Sequence, residues 1–277
     1  MKRHGFMTKL MLLLGAVSLS CAAQALTLHR DGGDLYASGV IQIGDDLALR
    51  AAHAQAPVQR LILVNSPGGA LMASLRIARW LEDLRITTLA AGHCMSACSL
   101  IFMAGEQRQF ASLPRHPASV IGIHGAYNAR TGQASEAAAP LMLDYYRQRM
   151  GANYAAAIIE QAIVQMKDAS GFLVVPAMST GAGEQRPQYC PSARAARHEC
   201  TVHMQQSALS LGIVTRAETV SLAALPQAVA QAIEAAPTPA APSAFDTSAK
   251  ASTLAQQFPR SGVVHQARQA DADPGQP

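Results

Sequence analysis

The sequence predicts an α/β fold, a mostly parallel sheet with crossover helices. Three observations lead there. Leu61–Val64 is an uninterrupted apolar run, as expected of a strand covered on both faces. The stretch "ALMASLRIARWLEDL" that follows has helical spacing. Two further short β-rich runs, "ITTLAA" and "SVIGIHG", then alternate with an apolar helix, "ACSLIFMAG".

Taken in order, "LYASGVIQIG" (Leu35–Gly44) is strand-like and ends in glycine. "DDLALRAAHAQ" is a helix with Asp45 or Asp46 as its natural N-cap. A Pro-Gly-Gly turn is expected to break the Leu61–Val64 strand. In the next helix Leu71, Leu75, Ala78 and Leu81 share one face, while Arg76, Arg79 and Asp83 share the other. Residues from about 133 to 168 are helical in pattern with a break near Gly151. Residues 176–200 read as an irregular loop, and "ALSLGIV" as a short closing unit.

The two ends differ in kind. Lys2, Arg3 and Lys9 precede an apolar stretch from Leu10 to Ser20, and Ala23–Gln24–Ala25 has the small-x-small form of a cleavage site. Residues 1–25 therefore read as a secretory signal, which implies export, to the periplasm in a bacterium. Cys21 raises lipidation, but Ser18 stands where a larger aliphatic is expected. No later segment has the length and apolar purity of a membrane span. Residues 235–277, rich in Ala, Pro, Ser and Gln, read as a disordered tail. Residues 26–234 are left as one domain. The net charge of +4 is mild and no basic stripe with interleaved aromatics occurs, which argues against a nucleic-acid partner.

The chemistry concentrates in "GHCMSACSLIFMAG". Ser96 follows a predicted strand and opens a helix, so the Ala97 N–H sits at a positive helix terminus. Gly68–Gly69 ends the neighbouring strand, where glycine lets a backbone N–H approach a ligand. His124 ends a third strand between Gly122 and Gly125. All three lie at carboxyl ends of parallel strands, where open α/β sheets bind ligands. Acyl transfer needs such a set: an exposed hydroxyl, an imidazole to take its proton, and N–H groups facing the oxyanion. Each feature alone has a plainer explanation, as a turn, an N-capping serine or a packed histidine. Their order and spacing together favour the site.

"LVNSPGGALMASLRIARWL", "GHCMSACSLIFMAG" and "SVIGIHG" together resemble the Clp-protease/crotonase fold. The chain looks most like exported Clp-like serine hydrolases with a Cys-x-Ser-Ala-Cys signature, over about Leu35–Gly125. The resemblance implies Ser96 as nucleophile, His124 as base, and the N–H groups of Gly69 and Ala97 as the oxyanion hole. It implies a peptide or protein substrate, no cofactor, no metal, and leaves a homo-oligomer open. The family's lysine-base branch has little to draw on, since only Lys167 and Lys250 follow the signal.

One departure matters. Clp-type proteases place an aspartate about a dozen residues before the glycine that matches Gly212, and here that position is Cys200. Glu199 and Asp168 are the remaining candidates for the third member. A serine–histidine pair without its carboxylate loses tautomer control, worth about 10⁴-fold in a serine protease. The alternative function is therefore an inactive Clp-like scaffold that binds peptides in the same cleft.

Four cysteines follow the signal: Cys94, Cys98, Cys190 and Cys200. An even count in an exported chain suggests two disulfides with three possible connectivities. Cys94 and Cys98 either bridge each other across the Ser96 turn or pair with the 190/200 loop. A Cys190–Cys200 bridge would contribute about 2–3 kcal/mol by loop entropy. Zinc at His198, Cys200 and His203 is disfavoured, because the spacing matches no common template. An α/β-hydrolase esterase is also disfavoured, since "CMSAC" lacks the Gly-x-Ser-x-Gly elbow.

Overall fold

The apolar run at Leu61–Val64 is continuous because the sheet is covered on both sides. Leu61 and Leu63 enter the larger core, and Ile62 and Val64 enter a smaller one on the opposite face. The computed structural model describes residues 25–113, 118–128, 131–166, 171–177, 186–191, 200–202, 205–222 and 225–235. The signal reading with Cys21, the tail beyond Ala235, Lys167, Asp168, His198, Glu199 and His203 lie outside the described residues.

Thr27–Asp31 (β1) pairs antiparallel with Asp34–Ile41 (β2), which runs parallel to Arg60–Gly69 (β3). Asp45–Gln55 (α1) and Leu71–Leu84 (α2) connect these strands to Thr87–Met95 (β4), again parallel. Ala97–Met103 (α3) follows, then Arg108–Ser112 (β5) and Val120–Ile123 (β6). Beyond them come Ala138–Met150 (α4) and Ala156–Glu160 (α5), which continues as one wider turn over Gln161–Gln165. Phe172–Pro176 (β7), Gln188–Cys190 (β8) and Thr201–Val202 (β9) extend the sheet antiparallel beyond β6. Val220–Ser221 (β10) pairs parallel with β5, and Gln227–Ala235 (α6) closes the order.

The sheet forks at β4. Thr88–Ala91 pair with β5, whereas His93–Met95 pair with β6. Gly92 is the branch point, with φ 75°, and the adjacent β3 bulges at Asn65, with φ 47°. The Gly92 N–H donates to Ser119 Oγ at 2.8 Å, and Ser119 in turn donates to the Ala111 carbonyl, so one hydroxyl joins both prongs. The β6 prong carries the carboxyl end of β4 past the reach of β5, toward the Ser96 turn.

The structure changes several details of the sequence reading. The Pro-Gly-Gly segment does not break β3; the bulge at Asn65 lets pairing with β2 resume at Gly68 and Gly69. Helix α1 is preceded by Gly44 in a left-handed conformation, with no side-chain cap. Asp45 Oδ2 instead accepts the N–H of Gln42 at 2.7 Å, and Asp46 pairs with Arg76 at 3.1 Å. Residues 176–200 are not all irregular, because β8 lies among them.

"ALSLGIV" forms turns, fixed by an arginine that attracted no notice in the sequence. The buried Arg108 guanidinium donates to the carbonyls of Gly105, Arg149, Gly212 and Ile213 at 2.9–3.2 Å. Arg149 donates to Met103, Ala104 and Gly105 carbonyls at 2.8–3.1 Å. Two cations thus cap the carboxyl end of α3, whose seven residues are all buried, and complement its dipole. That lets an apolar helix end inside the core with its polar groups satisfied. No helix among the described residues is long and apolar enough to cross a membrane.

Candidate active site

Ser96 stands between β4 and α3 with φ 55° and ψ −127°, a region that L residues rarely adopt. A capping serine has extended φ/ψ and spends its hydroxyl on the helix N–H groups. Ser96 has neither property: it makes no side-chain capping bond. Its backbone is tied down instead. The Ser96 N–H donates to Gly122 O in β6 at 2.8 Å. The Ser96 carbonyl accepts from the Ser99 N–H at 2.9 Å and from Ser99 Oγ at 2.5 Å. With its only hydrogen used there, Ser99 Oγ accepts from the Tyr146 hydroxyl at 2.6 Å. Burial raises the Tyr146 hydroxyl well above its ordinary pKa, so it remains a donor at any physiological pH.

Glycine makes the close approach of neighbouring strands possible. A Cβ on Gly68 would lie 2.6 Å from Met95 O, 2.7 Å from Ser96 Cβ and 2.9 Å from the Ala97 nitrogen. Gly69 (φ 149°) backs onto the Ile41 backbone, and a Cβ there would run into the Ile41 carbonyl. A side chain at position 69 would therefore disturb the pairing of β3 with β2 as well as displace the Gly69 N–H. On the other side Gly122 lies under the Met95 side chain.

One narrow cleft is lined by Gly69, Ser96, Ala97 and His124 together. Four residues brought together from three strand ends are thus the four singled out from the sequence. Leu71, Leu100, Tyr127 and Met142 complete an apolar wall. Among the described residues, none that lines it is an Asp, Glu, Lys or Arg. His124 follows β6 and is 3% exposed, its ring 4.4 Å from that of Phe172 and 5.4 Å from that of Tyr127. The Gly125 N–H donates to Met166 O at 2.9 Å, which fixes the chain just beyond the imidazole.

The disulfides resolve the open connectivity. Cys94 bonds Cys98 and Cys190 bonds Cys200. Cys200, at the position where a Clp-type acid is expected, is therefore a sulfur cross-link at the end of the sheet. Its thiolate is also removed from the His198, Cys200, His203 set. Asp168 and Glu199 lie outside the described residues.

Ser99 and Tyr146 were missed by sequence reasoning. Met142 and Tyr146 are four apart on α4 and so share a face, a signal available beforehand. What that face meets depends on where α4 packs, and spacing does not state it.

A family model described as Clp protease matches residues 37–168. That segment holds all four cleft residues from Gly69 to His124. The fold class is Clp-protease/crotonase-like, mixed α/β with a mostly parallel sheet. Among solved structures, the chain is similar to a mutant of a membrane-bound stomatin-specific protease at 15% identity and TM-score 0.39, covering 71% of this chain and 81% of that one. It is similar to a protein described as enoyl-CoA hydratase/isomerase from Bordetella parapertussis at 14% identity and TM-score 0.37, covering 76% of each. Another so described, from Acinetobacter baumannii, has 12% identity and TM-score 0.36, covering 76% of this chain and 79% of that one. No curated protein matches the chain at a significant level.

Proposed function

We propose that the chain is an exported serine hydrolase that cleaves peptides. The observation that carries the reading is Ser96 itself: a strained residue at a strand–helix elbow, with its hydroxyl unused for capping, in one cleft with His124. The Clp protease match over residues 37–168 supports the reaction class.

In this reading His124 accepts the Ser96 Oγ proton as Oγ attacks the scissile carbonyl carbon. Charge develops on the carbonyl oxygen, and the N–H groups of Gly69 and Ala97 donate to it, Ala97 from the first turn of α3. The protonated imidazole then gives its proton to the departing amine. Water repeats the sequence on the acyl-enzyme. Asp168 and Glu199 are the candidates for a group that would orient His124, unless the third member is missing. The two disulfides fit an oxidising compartment such as the periplasm.

A fluorophosphonate probe tests the reading. Wild-type protein should be labelled at Ser96, and Ser96→Ala should lose both labelling and peptide turnover. The disulfide-bonded Cys200 favours a second reading, a cleft that binds peptides without cleaving them. Peptide binding by a wild-type protein that resists the probe would establish that reading and overturn the first.

A further inference from the structure

Cys94 is the penultimate residue of β4 and Cys98 the second residue of α3, and the bond between them closes a ring around Ser96. We propose that this disulfide is a positioning cross-link, holding the elbow in the conformation that presents the Ser96 hydroxyl. The inference rests on the hydrolase reading above.

Three observations support it. First, Ser96 sits in a backbone region that is sparsely populated unless its surroundings enforce it. Second, the hydrogen bonds at the elbow hold single atoms: the Ser96 N–H to Gly122, and the Ser96 carbonyl to Ser99. The disulfide is a second covalent link between strand and helix besides the main chain through Ser96, with Cα atoms 5.2 Å apart, and so restrains the angle between them. Third, both cysteines are fully buried, so the bridge belongs to the interior of the site and exchanges more slowly than an exposed bond. A loop of only four residues' separation gains least from closure entropy, which leaves local geometry as the main consequence. Cys190–Cys200 joins β8 to the start of β9 and lies beside Phe172, whose ring packs on His124, so its removal serves as a comparison that opens a bridge without opening the ring around Ser96.

The test compares Cys94→Ala/Cys98→Ala with Cys190→Ala/Cys200→Ala in the full chain. A misplacement of about 1 Å costs about 10²-fold in rate. The first pair should slow fluorophosphonate labelling by about ten- to a hundredfold and lower kcat while leaving KM unchanged. The second pair, which keeps the ring around Ser96, should label faster than the first. Wild-type labelling by Cys94→Ala/Cys98→Ala would overturn the proposal. If that variant does not fold, the Cys190→Ala/Cys200→Ala protein is treated with dithiothreitol instead. The dithiol gives two electrons and two protons to the one remaining bridge, yielding two thiols and a cyclic disulfide. Reduction is carried to the point where both Cys94 and Cys98 thiols are detected; labelling should fall as they appear, and constant labelling with both thiols present would overturn the proposal. A wild type that never labels defeats the hydrolase reading instead. Amide exchange then decides: faster exchange at Ser96 and Ser99 on opening the bridge supports the cross-link, and unchanged exchange removes it.

Discussion

The backbone N–H of Ser96 donates to the carbonyl of Gly122 at 2.8 Å, so the elbow is tied directly to the strand that leads into His124. The two glycines flanking that elbow are not equivalent. Gly68 abuts backbone atoms of Met95 and Ala97, which have nowhere to go. Gly122 abuts the Sδ and Cε of Met95, the far end of a flexible side chain. Gly68→Ala should therefore displace Ser96 and cost at least tenfold in labelling, with a lower Tm. Gly122→Ala should be tolerated, with labelling within a few-fold of wild type. Equal effects would show that the elbow does not depend on the β3 contact.

Replacing the strained serine should stabilise the fold. A non-glycine residue in a sparsely populated region costs about 1–3 kcal/mol. Glycine removes that cost, and gives back about 0.4–1 kcal/mol through a freer unfolded chain. Ser96→Gly should thus unfold about 1 kcal/mol less readily in urea while losing all turnover. A less stable Ser96→Gly would mean that the hydroxyl contributes to the fold and is no idle capping group.

Much of the parallel sheet was legible because each of its strands follows a helix or glycine turn that marks its end. The placement of the candidate site was legible for the same reason: Gly69, Ser96 and His124 all sit at those boundaries. The antiparallel strands were not. β8 and β9 are three and two residues long, too short for alternation to show, and their pairing follows from neighbours far along the chain. Arg108 was equally opaque, since one arginine beside Gln107 and Gln109 looks like surface. Only the convergence of the ends of α3 and α4 with the 212–213 turn makes it a buried hub.

Arg108 should be among the costliest residues to replace. Its side chain is buried, and burial together with the nearby Arg149 lowers its pKa to about 10, so it stays charged at neutral pH. Its partners are all carbonyls. Arg108→Met would leave several of them without a donor, at about 1–3 kcal/mol for a buried unsatisfied group. A loss of at least about 3 kcal/mol in urea unfolding is expected, with the 208–214 turns exchanging amide hydrogens fastest. A loss below about 1 kcal/mol would show that water replaces the guanidinium without penalty.

The final prediction concerns pH and His93, three residues before Ser96 in β4. Burial lowers its pKa from the usual value of 6.5, because the low-dielectric surroundings disfavour the imidazolium. The unfolded chain therefore binds a proton at a higher pH than the folded one. Where the unfolded state holds more protons, stability rises with pH. The contribution of His93 is complete above about 6.5 and is lost as pH falls from there toward its folded-state value. Tm should accordingly drop between pH 7 and pH 5, and His93→Gln should flatten that part of the curve. The loss should be local as well as global, since His93 pairs with Val120 at the root of the β6 prong. Protonation there loosens the joint that carries His124. Activity should fall over the same interval, and in His93→Gln it should fall less. An unchanged Tm slope in His93→Gln would assign the acid sensitivity to another group.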